Sequence, residues 1–134
     1  MEVTVVDHTG IDIIAYNPST RRRLGITVKS RTRKIGTEDS SVNVFSYQRE
    51  NNDRQKVLTA CEAFACEPWL AIYVEATDQA DIYLTSLSNY DANYRREGKA
   101  IDDWKMGPKH QQTYASDPLV KHIKINFYGT NWSW

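Results

Sequence analysis

The sequence predicts an α/β domain whose sheet opens as an antiparallel meander. Three observations predict it. Three short apolar, β-branched runs follow one another near the N-terminus across two turn signals. One later segment then switches to helical spacing, and further strand-like runs follow it. In order, Val3-Thr4-Val5-Val6 forms the first strand, and His8-Thr9-Gly10 turns the chain into an apolar strand over residues 11–16. Asn17-Pro18-Ser19-Thr20 is a strong turn signal, and the third strand covers residues 24–29. Residues 32–46 carry Gly36 and paired serines without a clear period, so they read as a loop. Val57, Ala60, Cys61, Phe64 and Ala65 keep the i, i+3, i+4, i+7, i+8 pattern, which predicts an amphipathic helix over 47–66, ended by Pro68. Strands are expected over 69–75 and 80–84. Residues 86–115 are polar and unassigned, with Tyr90, Tyr94 and Trp104 as anchors to the body. Alternation over 119–128 predicts a final strand.

At 134 residues and 15.5 kDa the chain is expected to be one domain over 1–134. Seventeen basic and seventeen acidic side chains cancel, which excludes a uniformly basic DNA-coating protein. No run approaches the roughly 20 apolar residues of a transmembrane helix, and no basic segment with an apolar run opens the chain. A cytoplasmic protein without a membrane partner is the expectation. The balance is uneven along the chain: residues 1–60 carry +3 and residues 61–134 carry −3. Arg21, Arg22, Arg23, Lys29, Arg31, Arg33 and Lys34 fall in one acid-free stretch of fourteen residues. Such a run suits a phosphate backbone, or is simply a solvated hairpin tip.

Cys61 and Cys66, five apart in the expected helix, point to different faces there, so they read as small buried residues rather than a disulfide. His8, His110 and His122 are scattered, which leaves a zinc cluster without support. Glu75, Asp78 and Asp81 read as loop and strand-end acids. No glycine-rich phosphate loop and no nucleophilic triad is visible.

The second and third strands hold the informative residues. Asp12 interrupts an apolar run, where an unpaired carboxylate is costly to bury. Thr27 and Lys29 share one face of the next strand. A hairpin through residues 17–23 brings Asp12 and Lys29 together at the end away from the turn. They then form either a site or a structural ion pair, with Lys29 or Arg31 as the partner of Asp12.

Gly10-Ile11-Asp12-Ile13-Ile14-Ala15, followed by Gly25-Ile26-Thr27-Val28-Lys29-Ser30-Arg31, resembles the core of the restriction-endonuclease-like PD-(D/E)XK nucleases. The likeness covers residues 1–75, including the order of strands, helix and following strand. It implies a mixed sheet flanked by helices and Mg²⁺- or Mn²⁺-dependent hydrolysis of DNA. In that reading Asp12 and the Val28 carbonyl bind the metal, and Lys29 orients the attacking water. Gln55 takes an auxiliary polar position, and Arg21, Arg22, Arg23, Arg31, Arg33 and Lys34 hold the nucleic acid. Two features depart from the family pattern. Thr27 stands where the triplet has its first acid, and the first strand begins at residue 2, where the family has a helix first. These departures favour a second reading, a nuclease-fold protein that binds nucleic acid or a protein partner without cleaving. Trp132 and Trp134 are expected to close over a surface of the domain or to pack on a second subunit of a homodimer.

Overall fold

The computed structural model describes residues 1–34, 36, 37, 40–48 and 52–127, with the side chains of residues 6–8 outside the description. Three strands open the chain: β1 (Glu2–His8), β2 (Ile11–Asn17) and β3 (Arg22–Thr32). They form the expected meander, with Val3 opposite Ala15 and Ile14 opposite Gly25. At eleven residues β3 is much longer than its apolar run, because its second half pairs with β5 (Glu67–Ala76) rather than with β2. That pairing is parallel and runs from Leu24–Glu67 to Thr32–Glu75. Strand β6 (Gln79–Ser86) and the edge strand β8 (Lys121–Asn126) complete a curled mixed sheet ordered β1-β2-β3-β5-β6-β8.

Between β3 and β5 the structure departs from the expectation. The stretch read as a loop contains β4 (Val42–Ser46), which pairs with β7 (Ile101–Trp104) out of the unassigned polar region. Neither strand is long enough to announce itself in sequence, and the apolar residues of β4 are buried by partners distant in the chain. Helix α1 (Asp53–Ala63) is shorter than its expected 47–66. The Asn52 side chain accepts from the Gln55 backbone N–H at 2.7 Å and starts it, and Ala65, at φ 51, ends it. The polar region also supplies α2 (Leu87–Asn93) and α3 (Pro108–Ser116).

Two apolar clusters divide the sheet's faces. One gathers Leu70, Ile72 and Tyr83 from the sheet, Val57 and Cys61 from α1, Tyr90 from α2, Tyr114 from α3, and Phe45 and Trp104 from the small sheet. Of the expected aromatic anchors Tyr90 and Trp104 are therefore core and Tyr94 packs against it, and Tyr83, Tyr90, Tyr94 and Tyr114 all lie with ring centroids 5.4–6.2 Å from Trp104. The other cluster, around Ala15, Leu24, Ile26 and Ala71, contains strand residues alone. Among the described residues the helices thus flank one face of the sheet, not both. The expected final strand is also shorter, and all six residues of β8 are exposed because it lies at the edge, with Ile123 56% exposed. Tyr128 and the Asn131–Trp134 segment lie outside the described residues. No helix among the described residues is long and apolar enough to cross a membrane.

Ion pairs gather the chain around β7. Asp103 on β7 meets Arg96 at 3.0 Å, and Lys99 and Lys105 at 3.2 Å each. Burial opposes its ionisation, but hydrogen bonds from the three cations outweigh that and hold its carboxyl down, at about 2. A group depressed in the folded state contributes stability above its ordinary value of 3.8 and loses it as pH falls toward 2. Unfolding followed by urea between pH 5 and pH 2 (roughly the window of that titration) is expected to show a falling midpoint. In Asp103→Asn the midpoint should be lower at pH 5 and fall less steeply. An unchanged slope would remove Asp103 as its source.

Candidate active site

Strands β2 and β3 part at one end, and the site lies there. Their ladder ends at Ile13 opposite Ile26. One residue further, the Asp12 side chain replaces the ladder: its Oδ2 accepts the Val28 backbone N–H at 2.7 Å. A strand residue directs its N–H and C=O to the same side, so the Val28 carbonyl also faces the parted strand. The cavity left by the parting, about 150 Å³, is lined by Asp12, Thr27, Val28 and Lys29 from the strands and by Asp53 and Val57 from α1.

Gly10 closes its floor. At φ 110 it adopts a backbone that L side chains rarely take, and a Cβ there would lie 2.5 Å from the Lys56 carbonyl carbon. The β1–β2 turn therefore touches the first turn of α1, and Asp53 lines the same cavity as Asp12. Asp53 is in turn held to the end of β4, its Oδ2 accepting the Ser46 backbone N–H at 3.1 Å. Lys56 Nζ lies 3.8 Å from the other oxygen.

Sequence reasoning passed over Asp53, although a signal was present. Asn52-Asp53-Arg54-Gln55 has the pattern of a capping box, which sets the helix start at Asp53 and puts that acid in the first turn. The same geometry explains Gln55. It is exposed, turned toward Thr59 with Nε2 3.3 Å from Oγ1, and is not part of the cavity lining; Asp53 is the polar residue that α1 brings to the site. Thr27, only 3% exposed, stands in the cavity wall with a neutral hydroxyl.

The acid-free basic stretch is not one patch. From Arg23 to Arg31 an extended strand covers about 26 Å. At the far end Arg22 pairs with Glu67 at 2.7 Å and lies over Trp69, while Arg23 donates to the Phe64 carbonyl at 3.0 Å. With Arg21 these line an open hollow of their own beside Cys66. At the site end Arg31 donates to the Ser30 carbonyl at 2.6 Å and to the Asn43 carbonyl at 3.4 Å. Arg33 braces the chain before β4, donating to the Ser41 carbonyl at 2.9 Å, and Lys34 is exposed. A second hollow of about 230 Å³, lined by Lys29, Arg31, Asn43, Ser46 and Asp53, adjoins the first and shares Lys29 and Asp53 with it. Of the basic stretch, Lys29 lines the cavity and Arg31 the adjoining hollow, and Arg21, Arg22 and Arg23 stand apart from it.

The donor set suits a hard cation. Two carboxylates, each holding one backbone N–H through a single oxygen, face a polar cavity with space for several waters, as Mg²⁺ favours. Among the described residues no group of three or more His, Cys, Asp or Glu side chains is placed to hold a metal ion. No protein-family model matches the chain, and no curated protein or solved structure matches it either.

Proposed function

We propose that the protein is a metal-dependent nuclease that hydrolyses phosphodiester bonds of DNA, built on a restriction-endonuclease-like core. The observation that carries this reading is the convergence of Asp12, Asp53 and Lys29 on one cavity at the parting of β2 and β3. The meander followed by a parallel β3–β5 pair across α1 supports the core, because it is the order that the resemblance implies. Asp12, Asp53 and the Val28 carbonyl would hold Mg²⁺ or Mn²⁺. When bound, such an ion polarises a phosphoryl oxygen and lowers the pKa of an attacking water. Lys29, on the same wall, donates hydrogen bonds to the nucleophile's side of the phosphate and offsets the charge that builds there. Arg31, in the adjoining hollow, takes a neighbouring phosphate of the same strand.

Thr27 favours a second reading, binding without cleavage, because it removes one negative charge from the wall. Incubation of supercoiled plasmid and branched DNA with the protein and Mg²⁺ or Mn²⁺ decides between them. Cleavage by the wild type, and its fall by about 10²-fold or more in Lys29→Ala, is the expected result. Full cleavage by Lys29→Ala overturns the assignment of Lys29. Absence of cleavage together with salt-dependent binding that Arg31→Ala weakens establishes the second reading.

A further inference from the structure

The end of α1 brings together two residues that helical spacing keeps apart. Cys61 and Cys66 would point to different faces of an unbroken helix. The helix stops between them. The Cys66 N–H donates to the Cys61 carbonyl at 2.8 Å, and the Ala65 N–H donates to the Glu62 carbonyl at 3.2 Å. This pair of bonds around a left-handed Ala65 is a Schellman motif, which frequently sets the side chains of its outermost residues side by side. Here the outermost residues are the two cysteines.

Two further observations place the thiols. The 2.8 Å bond between them limits the Cα–Cα separation to about 6.7 Å, within the range a disulfide spans. Gly25 on β3 lies beneath both: a Cβ there would be 2.6 Å from the Cys61 Sγ and 3.0 Å from the Cys66 Cβ, so the two residues lean on one backbone position. Their access to solvent differs. Cys61 is buried, and Cys66 is partly exposed at the hollow lined by Arg21, Arg23 and the Arg22–Glu67 ion pair.

We propose that Cys61 and Cys66 form a dithiol redox pair, oxidised to an intramolecular disulfide by a carboxylate-bearing small-molecule disulfide that enters at the arginine-lined hollow. Cys66 loses its proton to solvent, and its thiolate attacks one sulfur of the oxidant. A mixed disulfide forms and one thiolate of the oxidant leaves. Cys61 then gives up its proton and displaces the second thiolate from Cys66. One bond joins the two cysteines, and two electrons have passed to the oxidant, which departs as two thiols. The order follows from access. Burial raises both thiols, against Arg23 at Cys66 and to about 11 at Cys61, so it is by access that the buried sulfur is the resolving one. The bond closes the C-terminal turn of α1, the helix whose first turn carries Asp53. The pair stands independently of hydrolysis at the other end of the helix.

Equilibration of the full chain with graded mixtures of reduced and oxidised glutathione tests this, followed by acid quench, alkylation under denaturing conditions and mass spectrometry. The expected product is a monomer two hydrogens lighter, with both cysteines protected from alkylation and a linked Cys61–Cys66 peptide. Cys61→Ser should accumulate glutathione on Cys66, because nothing resolves the mixed disulfide. Cys66→Ser should remain largely unmodified. A wild-type product that keeps glutathione on Cys66 with Cys61 still alkylatable overturns the proposal. So does a disulfide-linked dimer, or two free thiols in the most oxidising mixture. DNA cleavage is not read in this experiment, so its outcome and that of the nuclease reading remain separate.

Discussion

Asp12→Asn is expected to lose metal-dependent DNA cleavage by about 10³-fold while keeping the fold. The two consequences separate because the side chain has two jobs. Its Oδ2 accepts the Val28 N–H at 2.7 Å, and an asparagine carbonyl accepts the same bond. The negative charge that would hold a divalent cation is absent from the amide. Asp12→Ala removes both, and its thermal unfolding should fall further, by about 1 kcal/mol for an exposed hydrogen bond whose donor water can partly satisfy. Plasmid cleavage with Mg²⁺, measured alongside thermal unfolding, checks both variants. If Asp12 is only a structural partner of Val28 or of a nearby cation, Asp12→Asn cleaves like the wild type. That result removes it from the metal site. Asp53→Asn is the companion variant, because the Ser46 N–H bond survives in it as well.

Gly10→Ala should be the most damaging single-atom change in this part of the fold. The new Cβ would meet the Lys56 carbonyl and come within 2.9 Å of the Val57 nitrogen, all backbone atoms of α1 that cannot rotate away. The residue must also keep φ 110, or the β1–β2 turn must move. Together these are expected to cost about 3 kcal/mol or more. Gly98→Ala is the control. It has a similar positive φ of 81 with nothing within 4 Å of a Cβ, so only the strain of about 1 kcal/mol applies. Urea unfolding of the two variants measures the difference. Equal midpoints would mean that α1 does not bear on the turn as described. A partly folded Gly10→Ala should also lose cleavage, since the turn sets the distance between Asp12 and Asp53.

Much of the frame is legible in the sequence. The meander followed from β-branched runs separated by Asn-Pro and Thr-Gly turns, and α1 from the spacing of Val57, Ala60 and Cys61, because both signals are local. Asp12 and Lys29 stand out by chemistry that a strand does not need. Their shared cavity depended on where the β2–β3 ladder stops. Beyond Ile26 β3 continues along β5 alone, and β5 begins more than forty residues after β3's own start. Strands β4 and β7 were invisible for the same reason: each is short, and its stability comes from a partner more than fifty residues away.

The site shows the division most sharply. Sequence alone determined the acid at residue 12, the neutral threonine at 27, the lysine at 29 and a run of arginines around them. Tertiary structure decided which of these meet. An extended strand carried Arg21, Arg22 and Arg23 some 20 Å away from Lys29, and a capped helix brought in Asp53 in place of Gln55. The backbone bond that joins Cys66 to Cys61 arose in the same way, from one left-handed residue that ended a helix. The physical reason is common to all three. Composition and period report what a segment does by itself, whereas a site is made where segments end, and strand and helix ends are set by the neighbours they pack against.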